Sequence, residues 1–166
     1  MLIETERLII KTFTEELCEA AMTGNDSIYK KINIIPNVEW PEQDLKEAMN
    51  VFMELIRGNG ITGYGSWILL DKGNHIIGSA GFVGEPVDGV IEIGFGIIPS
   101  QQNKGYCTEA VNALIEWAKQ QGKVKEIISY CKNDNVKSKG VLDKTGFKRI
   151  GNEKGLIKWV YKGIGT

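Results

Sequence analysis

The chain has one histidine, three cysteines and four prolines in 166 residues, and its formal net charge is only −1. Each shortage removes a class of protein. His75 stands alone, and Cys18, Cys107 and Cys131 have no metal-ligand spacing, so no metal centre is indicated. Three thiols cannot pair completely, which excludes a disulfide framework and fits a reducing cytoplasm. No run approaches the roughly 20 apolar residues of a membrane span. The segment Met1-Leu-Ile-Glu-Thr-Glu-Arg7 lacks the basic and apolar parts of an export signal, so a cytoplasmic location is expected. A near-zero net charge offers no bulk attraction to nucleic acid or an anionic membrane, and neither is expected as a partner.

What remains is ordinary globular composition: 42% hydrophobic and 25% charged residues, in a length that suits one domain over 1–166. Residues 4–11 alternate as a first strand, with Leu8 and Ile10 facing one way and Arg7 and Ile9 the other; Arg7 reads most simply as an edge-strand ion pair. Thr14 caps a short helix that ends near Gly24. Residues 25–41 are irregular but apolar, and are expected to fold over and line a substrate cleft. Pro41 to Arg57 is a helix with Leu45, Met49, Phe52, Leu55 and Ile56 at helical spacing. Residues 65–71 and 75–83 form a hairpin joined at Lys72-Gly-Asn74, and His75, at that turn, reads as solvated.

The richest stretch is Glu92-Ile-Gly-Phe-Gly-Ile-Ile-Pro-Ser-Gln-Gln-Asn-Lys-Gly-Tyr-Cys-Thr-Glu109. Ile91, Ile93, Phe95 and Ile97 alternate with Glu92, Gly94 and Gly96, giving a strand with one apolar face and one nearly bare face. A bare face lets something approach closely. Pro99 ends the strand, and Ala110, Val111, Leu114, Ile115 and Ala118 mark the apolar stripe of the helix that follows, before Gly122. The turn between them delivers backbone N–H groups at a helix N-terminus, where unpaired donors and dipole favour an anion such as a diphosphate. Glycines before the turn do not have the dinucleotide-binding spacing, and Gly105 is followed by Tyr106 rather than the Lys of a nucleotide P-loop.

Gln102-Asn-Lys-Gly105-Tyr-Cys107 resembles the acyl-CoA-binding motif of the GNAT superfamily of N-acetyltransferases, Gln/Arg-x-x-Gly-x-Gly/Ala. Asn103 stands where Gly is common, and Cys107 where Ala or Gly is usual. Gly105-Tyr-Cys-Thr-Glu-Ala110 and the Thr5-Glu-Arg-Leu8 opening resemble the branch containing the ribosomal-protein N-terminal (RimJ/RimL-type) acetyltransferases. Downstream, Asn135, Ser138, Lys144, Gly146 and Phe147 resemble the second signature, Asn-x-x-Ser followed by Lys-x-Gly-Phe. The resemblance implies a mixed α/β fold: a mostly antiparallel sheet of about six to seven strands with a splayed central parallel pair, flanked by helices. It implies acetyl-CoA as cosubstrate. The residues it places against that molecule are Gly96, Ile97, Ile98, Gln102, Asn103, Lys104, Gly105, Tyr106, Cys107, Thr108 and Asn135.

Acetyl transfer to an amine needs a held thioester, a neutral amine and a proton for the leaving thiolate. Glu92, heading the strand on its sparse face, is the candidate base, alternatively a surface or salt-bridged residue. Many relatives use a tyrosine as acid, but Val141 and Leu142 occupy that region, leaving Ser138 as candidate donor, alternatively a helix cap. Cys107 reads as a small packing residue rather than a nucleophile. The acceptor is a small-molecule amine or a protein N-terminus, and the resemblance puts the helix from Pro41 to Arg57 and the loop before it on the acceptor side, with specificity between residues 25 and 60. A CoA-binding regulatory module is the alternative class. The protein is expected as a monomer or homodimer, with edge strands and Trp159 as a dimer surface.

Overall fold

The computed structural model describes residues 1–164; residues 165–166 of the expected 1–166 unit lie outside the described residues. An eight-stranded sheet in the order β1-β2-β3-β4-β5-β6-β8-β7 runs through it. Its strands are β1 Leu2–Glu4, β2 Leu8–Thr12, β3 Ser66–Asp71, β4 Ile76–Phe82, β5 Val90–Ile97, β6 Glu126–Cys131, β7 Lys148–Glu153 and β8 Leu156–Tyr161. Every neighbouring pair is antiparallel except β5 and β6. The helices are α1 Glu15–Thr23, α2 Asp26–Lys31, α3 Gln43–Asn59, α4 Tyr106–Gln120 and α5 Val136–Lys144.

The sheet has a core on each face because its middle strands are apolar on both sides. Trp67, Leu69, Ile77, Ile91 and Ile93 pack with the stripe Ala110, Val111, Leu114, Ile115 and Ala118 of α4. Ile68, Leu70, Ile76 and Ile98 pack on the opposite face with Leu17, Tyr29, Trp40 and Met49 from α1 to α3. In β3, Trp67 to Leu70 are fully buried, the continuous apolar run of a strand covered on both faces.

The strand expected over residues 4–11 is two strands, which raises the count to eight. Thr5 makes the break: its N–H donates to the Leu8 carbonyl at 3.0 Å and its Oγ1 accepts from the Leu8 N–H at 3.0 Å, closing a turn over Glu6 and Arg7. A short α2 lies within residues 25–41. That segment does not line a cleft, because Tyr29, Ile34 and Trp40 are buried in the second core, and the Glu39 carboxylate caps the turn after β5 by accepting from Ser100 N and Oγ at 3.1 and 2.7 Å. Trp159 is buried too, its Nε1 donating to Cys131 Sγ at 3.3 Å, so it supplies no dimer surface.

β5 and β6 are in register only from Val90–Glu126 to Glu92–Ile128. Beyond that they diverge, and Ser129 Oγ spans the start of the gap by donating to the Ile93 carbonyl at 2.9 Å. The alternation of β5, whose Glu92, Gly94, Gly96 and Ile98 bond towards β4, turns the backbone groups of Phe95 and Ile97 into the gap. No described helix is long and apolar enough to cross a membrane.

Candidate active site

Two clefts meet at the C-terminal half of β5. One, of about 570 Å³, lies over the gap between the parallel strands and is lined by Gln101 to Thr108, by Ile97, and by Asn135 to Ser138 and Lys144 of the α5 region. The other, of about 470 Å³, lies on the opposite face between α3, residues 59–66 and the ends of β4 and β5. Phe95 and Gly96 line both.

The first cleft is floored by backbone. Gly105 caps α4 at φ 82, and the turn before it also needs a left-handed residue at Asn103, φ 65. Asparagine tolerates that conformation better than other non-glycine residues, which accounts for its use where glycine is common. Among the described residues, the N–H groups of Asn103, Lys104, Gly105, Tyr106, Cys107 and Thr108 have no protein acceptor. They are the open donors of a helix N-terminus plus those of the turn. Among the described residues, Lys104, Lys137 and Lys144 line the same cleft and no carboxylate does, so its charge is positive although the chain as a whole is slightly negative. A polyanion with several phosphate oxygens fits this donor set.

Arg7, read from sequence as an edge-strand ion pair, does form one, and its partner makes it a brace for this turn. Its Nε lies 2.7 Å from Glu109 Oε1, its backbone N–H donates to Glu109 Oε2 at 2.9 Å, and its Nη1 donates to the Lys104 carbonyl at 2.8 Å. The guanidinium carbon sits 4.4 Å from the centre of the Tyr106 ring. Thr5 Oγ1 donates to the same carboxylate at 2.5 Å. Burial pushes the Glu109 carboxyl up, but the hydrogen bonds from Thr5 and Arg7 and the charge of Arg7 together hold it below its ordinary value. Its partner across the fold, about a hundred residues away, left no local signal for this role.

The remaining expected residues divide. Gln102 lies inside, its Nε2 donating to the Ile97 carbonyl at 2.9 Å and its Oε1 accepting from Lys137 Nζ. Asn135 caps α5 by accepting from Ser138 N–H at 3.0 Å, so the cap is Asn135, and Ser138 sits in the first turn on the cleft wall. Cys107 is a wall residue whose thiol burial pushes up to about 12. Ile98 is buried in the second core and lines neither cleft, its N–H donating to the Ile77 carbonyl at 3.0 Å. His75 is exposed and 3.1 Å from Asp71 Oδ1.

Glu92 lines neither cleft. Burial holds its carboxyl above the usual range, and it shares the strand face of Gly94 and Gly96, roughly 13 Å from Gly96 at about 3.3 Å per residue. A Cβ built on Gly94 or Gly96 would meet nothing within 4 Å. The bare face is therefore the floor of the second cleft. That cleft's walls are Phe52, Leu55 and Ile56 of α3, the helix that the resemblance put on the acceptor side, with Tyr64 and Glu85, which were missed from sequence. Tyr64 is raised by burial and then by the Glu85 charge.

A parallel pair splayed over an amide-lined turn, with a second cleft on the far side of the same strand, defines a transferase of the GNAT fold class. A family model described as Acetyltransferase (GNAT) domain matches residues 7–148, and the chain belongs to that family as an N-acetyltransferase. The chain is 38% identical over 164 residues, 97% of itself and 98% of the relative, to the uncharacterized N-acetyltransferase YjdG of Bacillus subtilis (strain 168). It is 29% identical over 123 residues, 69% of each, to a ribosomal-protein-serine acetyltransferase of Escherichia coli (strain K12). Among solved structures it resembles RimL, a ribosomal L7/L12 alpha-N-protein acetyltransferase in complex with coenzyme A, with TM-score 0.71, 17% identity and 98% of both chains covered. A GNAT-family acetyltransferase from Bacillus anthracis is similar at TM-score 0.68, 23% identity and 98% of both chains. These relatives are in keeping with the RimJ/RimL-type branch.

Proposed function

We propose that the protein, acting in the cytoplasm as a unit spanning residues 1–166, transfers acetyl from acetyl-CoA to a primary amine by direct attack on the thioester. The observation that carries this reading is the meeting of the two clefts at Phe95 and Gly96: a positively charged, amide-rich cleft on one side and one with carboxylates but no cation on the other. A module that only bound CoA would need no second cleft. Relatives that are ribosomal-protein acetyltransferases favour a protein N-terminus as acceptor, and a small amine uses the same chemistry.

In this reading the amides of Asn103 to Thr108, with Lys104 and Gln102, hold the diphosphate. Gly96, Ile97 and Asn135 flank the pantetheine arm, while Ile98 only fixes the strand end behind it. Each backbone N–H to a charged oxygen contributes roughly 1.5–3 kcal/mol. The amine's nitrogen forms a bond to the acetyl carbon as the carbon–sulfur bond breaks, and the amine's proton and the thiolate must then be handled. Glu92 takes a proton through water, since it lines neither cleft. Ser138 or a water it orients protonates the thiolate.

The test is release of free thiol from acetyl-CoA over a panel of amines and N-terminal peptides, beside calorimetric CoA binding. Turnover with at least one amine is expected, and binding without turnover on every acceptor would overturn the proposal. Glu92→Gln should lower kcat with little change in the KM for acetyl-CoA. It should also erase the acid limb of the pH profile, which the raised carboxyl places above ordinary glutamate.

A further inference from the structure

The second cleft is specific about its guest. Its walls are Phe13, Phe52, Ile56 and Phe82 with backbone and small side chains between them, and its volume of about 470 Å³ falls in the range of small-molecule sites, about 300–1,000 Å³. Around its mouth stand four exposed apolar side chains, Val51, Leu55, Ile61 and Val83, from three separate segments. Exposed apolar groups scattered singly mean little, but four converging on one opening extend the apolar wall outward.

The charges are as particular. Glu42 and Glu85 are the acidic side chains of the lining, and among the described residues no lysine, arginine or histidine joins them. Glu42 precedes α3 without a side-chain cap, and among the described residues neither carboxylate has a hydrogen-bond or ion-pair partner. The two carboxylates make the cleft acidic on the Glu42 and Glu85 side, with the N-terminal ammonium held on Thr12 as a nearby positive charge, and low-dielectric walls focus the field. Thr12 and Thr62 are already engaged, with the N-terminal ammonium and with Tyr64 N–H, while Asn59, Tyr64, Ser66 and Ser79 supply the other polar side chains of the lining.

We propose that the acceptor is a singly charged amine carried on an apolar, aromatic-sized body, supplied either as a free arylalkylamine or as the apolar first residue of a peptide. Resting on the transferase reading above, this narrows its substrate class. A polyamine would set ammonium groups spaced along its chain against the apolar walls, away from the two carboxylates. An amino sugar would turn part of its ring hydroxyls onto Phe13, Phe52, Ile56 and Phe82, where they find no partner, a cost that lowers affinity.

The probes are 2-phenylethylamine, a tetrapeptide beginning with Phe, spermidine and kanamycin. Each is followed in two ways: acetylation rate, and calorimetric binding to the protein loaded with CoA. The expected result is kcat/KM at least tenfold higher for phenylethylamine or the Phe-peptide than for spermidine or kanamycin; whichever is higher of the first two identifies the source. Gly94→Leu should fill the cleft floor and abolish binding of both apolar amines while CoA binding persists, since Gly94 touches only the second cleft. The paired change Glu42→Gln with Glu85→Gln should raise their KM severalfold without moving that of acetyl-CoA. Preference for spermidine or kanamycin overturns the inference and leaves the transferase reading standing. Binding of phenylethylamine with no acetylation of any amine would keep the cleft's preference for an apolar amine but overturn its role as acceptor together with the transferase reading. Unchanged amine binding in Gly94→Leu overturns the site itself.

Discussion

Arg7 touches the turn that floors the first cleft through its guanidinium, and Glu109 through its carboxylate, so the two act by holding that turn in shape. Replacing Arg7 with Ala leaves the Lys104 carbonyl and Tyr106 ring without their brace. About 1.4 kcal/mol of weakened binding corresponds to a tenfold change. Because the guanidinium is half exposed, a rise of roughly that size is expected in the KM for acetyl-CoA, with kcat little changed. Arg7→Lys should recover only part, since an ammonium lacks the planar fork that reaches both Glu109 and Lys104. Steady-state kinetics read the split, and an equal fall in kcat would argue for direct contact with the reacting atoms. Acid should have a related effect. The Glu109 carboxyl is held below its ordinary 4.5 when folded, so its stabilising contribution is full above that value and is lost as pH falls through the lowered one. Acid unfolding should therefore begin at higher pH in Arg7→Ala than in the wild type, monitored by circular dichroism. Cys107 has a thiol pushed up to about 12 by burial, which leaves almost no thiolate near neutrality. Cys107→Ala is expected to keep its activity, and complete loss would mean an acyl-enzyme rather than direct attack.

β5 and α4 were legible because each carries a local pattern: alternation that stops at Pro99, then a stripe at helical spacing, with the parallel β6 implied by the helical crossover. The polar turn between them, with its open N–H groups, was legible for the same reason, being made of backbone. On the acceptor side the resemblance pointed to the helix but not to which of its residues face the cleft. α3 has its apolar spacing, yet Met49 faces the core while Leu55 is exposed at a cleft mouth, and spacing alone cannot separate them. Residues 25–41 failed in the opposite sense: their apolar content was taken for a cleft wall and is a core layer holding the β5–α4 turn through Glu39. The motif glycine, Gly105, readable from sequence as a residue free to take a positive φ, does so at φ 82, and a second reason is visible only in three dimensions: a Cβ there would lie 3.3 Å from Arg7 Nη2. A left-handed alanine costs roughly 1–2 kcal/mol. Gly105→Ala should thus lower thermal stability by a few degrees and weaken CoA binding together, measured by calorimetry; a loss of stability with unaltered CoA affinity would separate the turn from the cofactor.

Across the whole molecule, strands β1–β5 and the β6-β8-β7 group are joined in the sheet by one short parallel register, three residue pairs long, after which the strands part. α4 packs on the first group and on the second through Leu142, Phe147 and Trp159. A guest in the gap, touching Phe95 and Ile97 on one side and the α5 turn on the other, would tie the two groups together where the protein's own hydrogen bonds stop. Ligand linkage sets the size of the effect: at a hundred times Kd the stabilisation is about 2.7 kcal/mol, and a chain of this length shifts by roughly 2–4 °C per kcal/mol. CoA at that concentration should therefore raise the melting temperature by about 5–11 °C, while NAD, which offers a diphosphate but no arm to fill the gap, should raise it far less. Hydrogen exchange read with and without CoA should show new protection at the amides of Asn103 to Thr108 and of Phe95 and Ile97. An equal shift with NAD would mean that the turn alone accounts for binding and that the divergence of β5 from β6 plays no part in it.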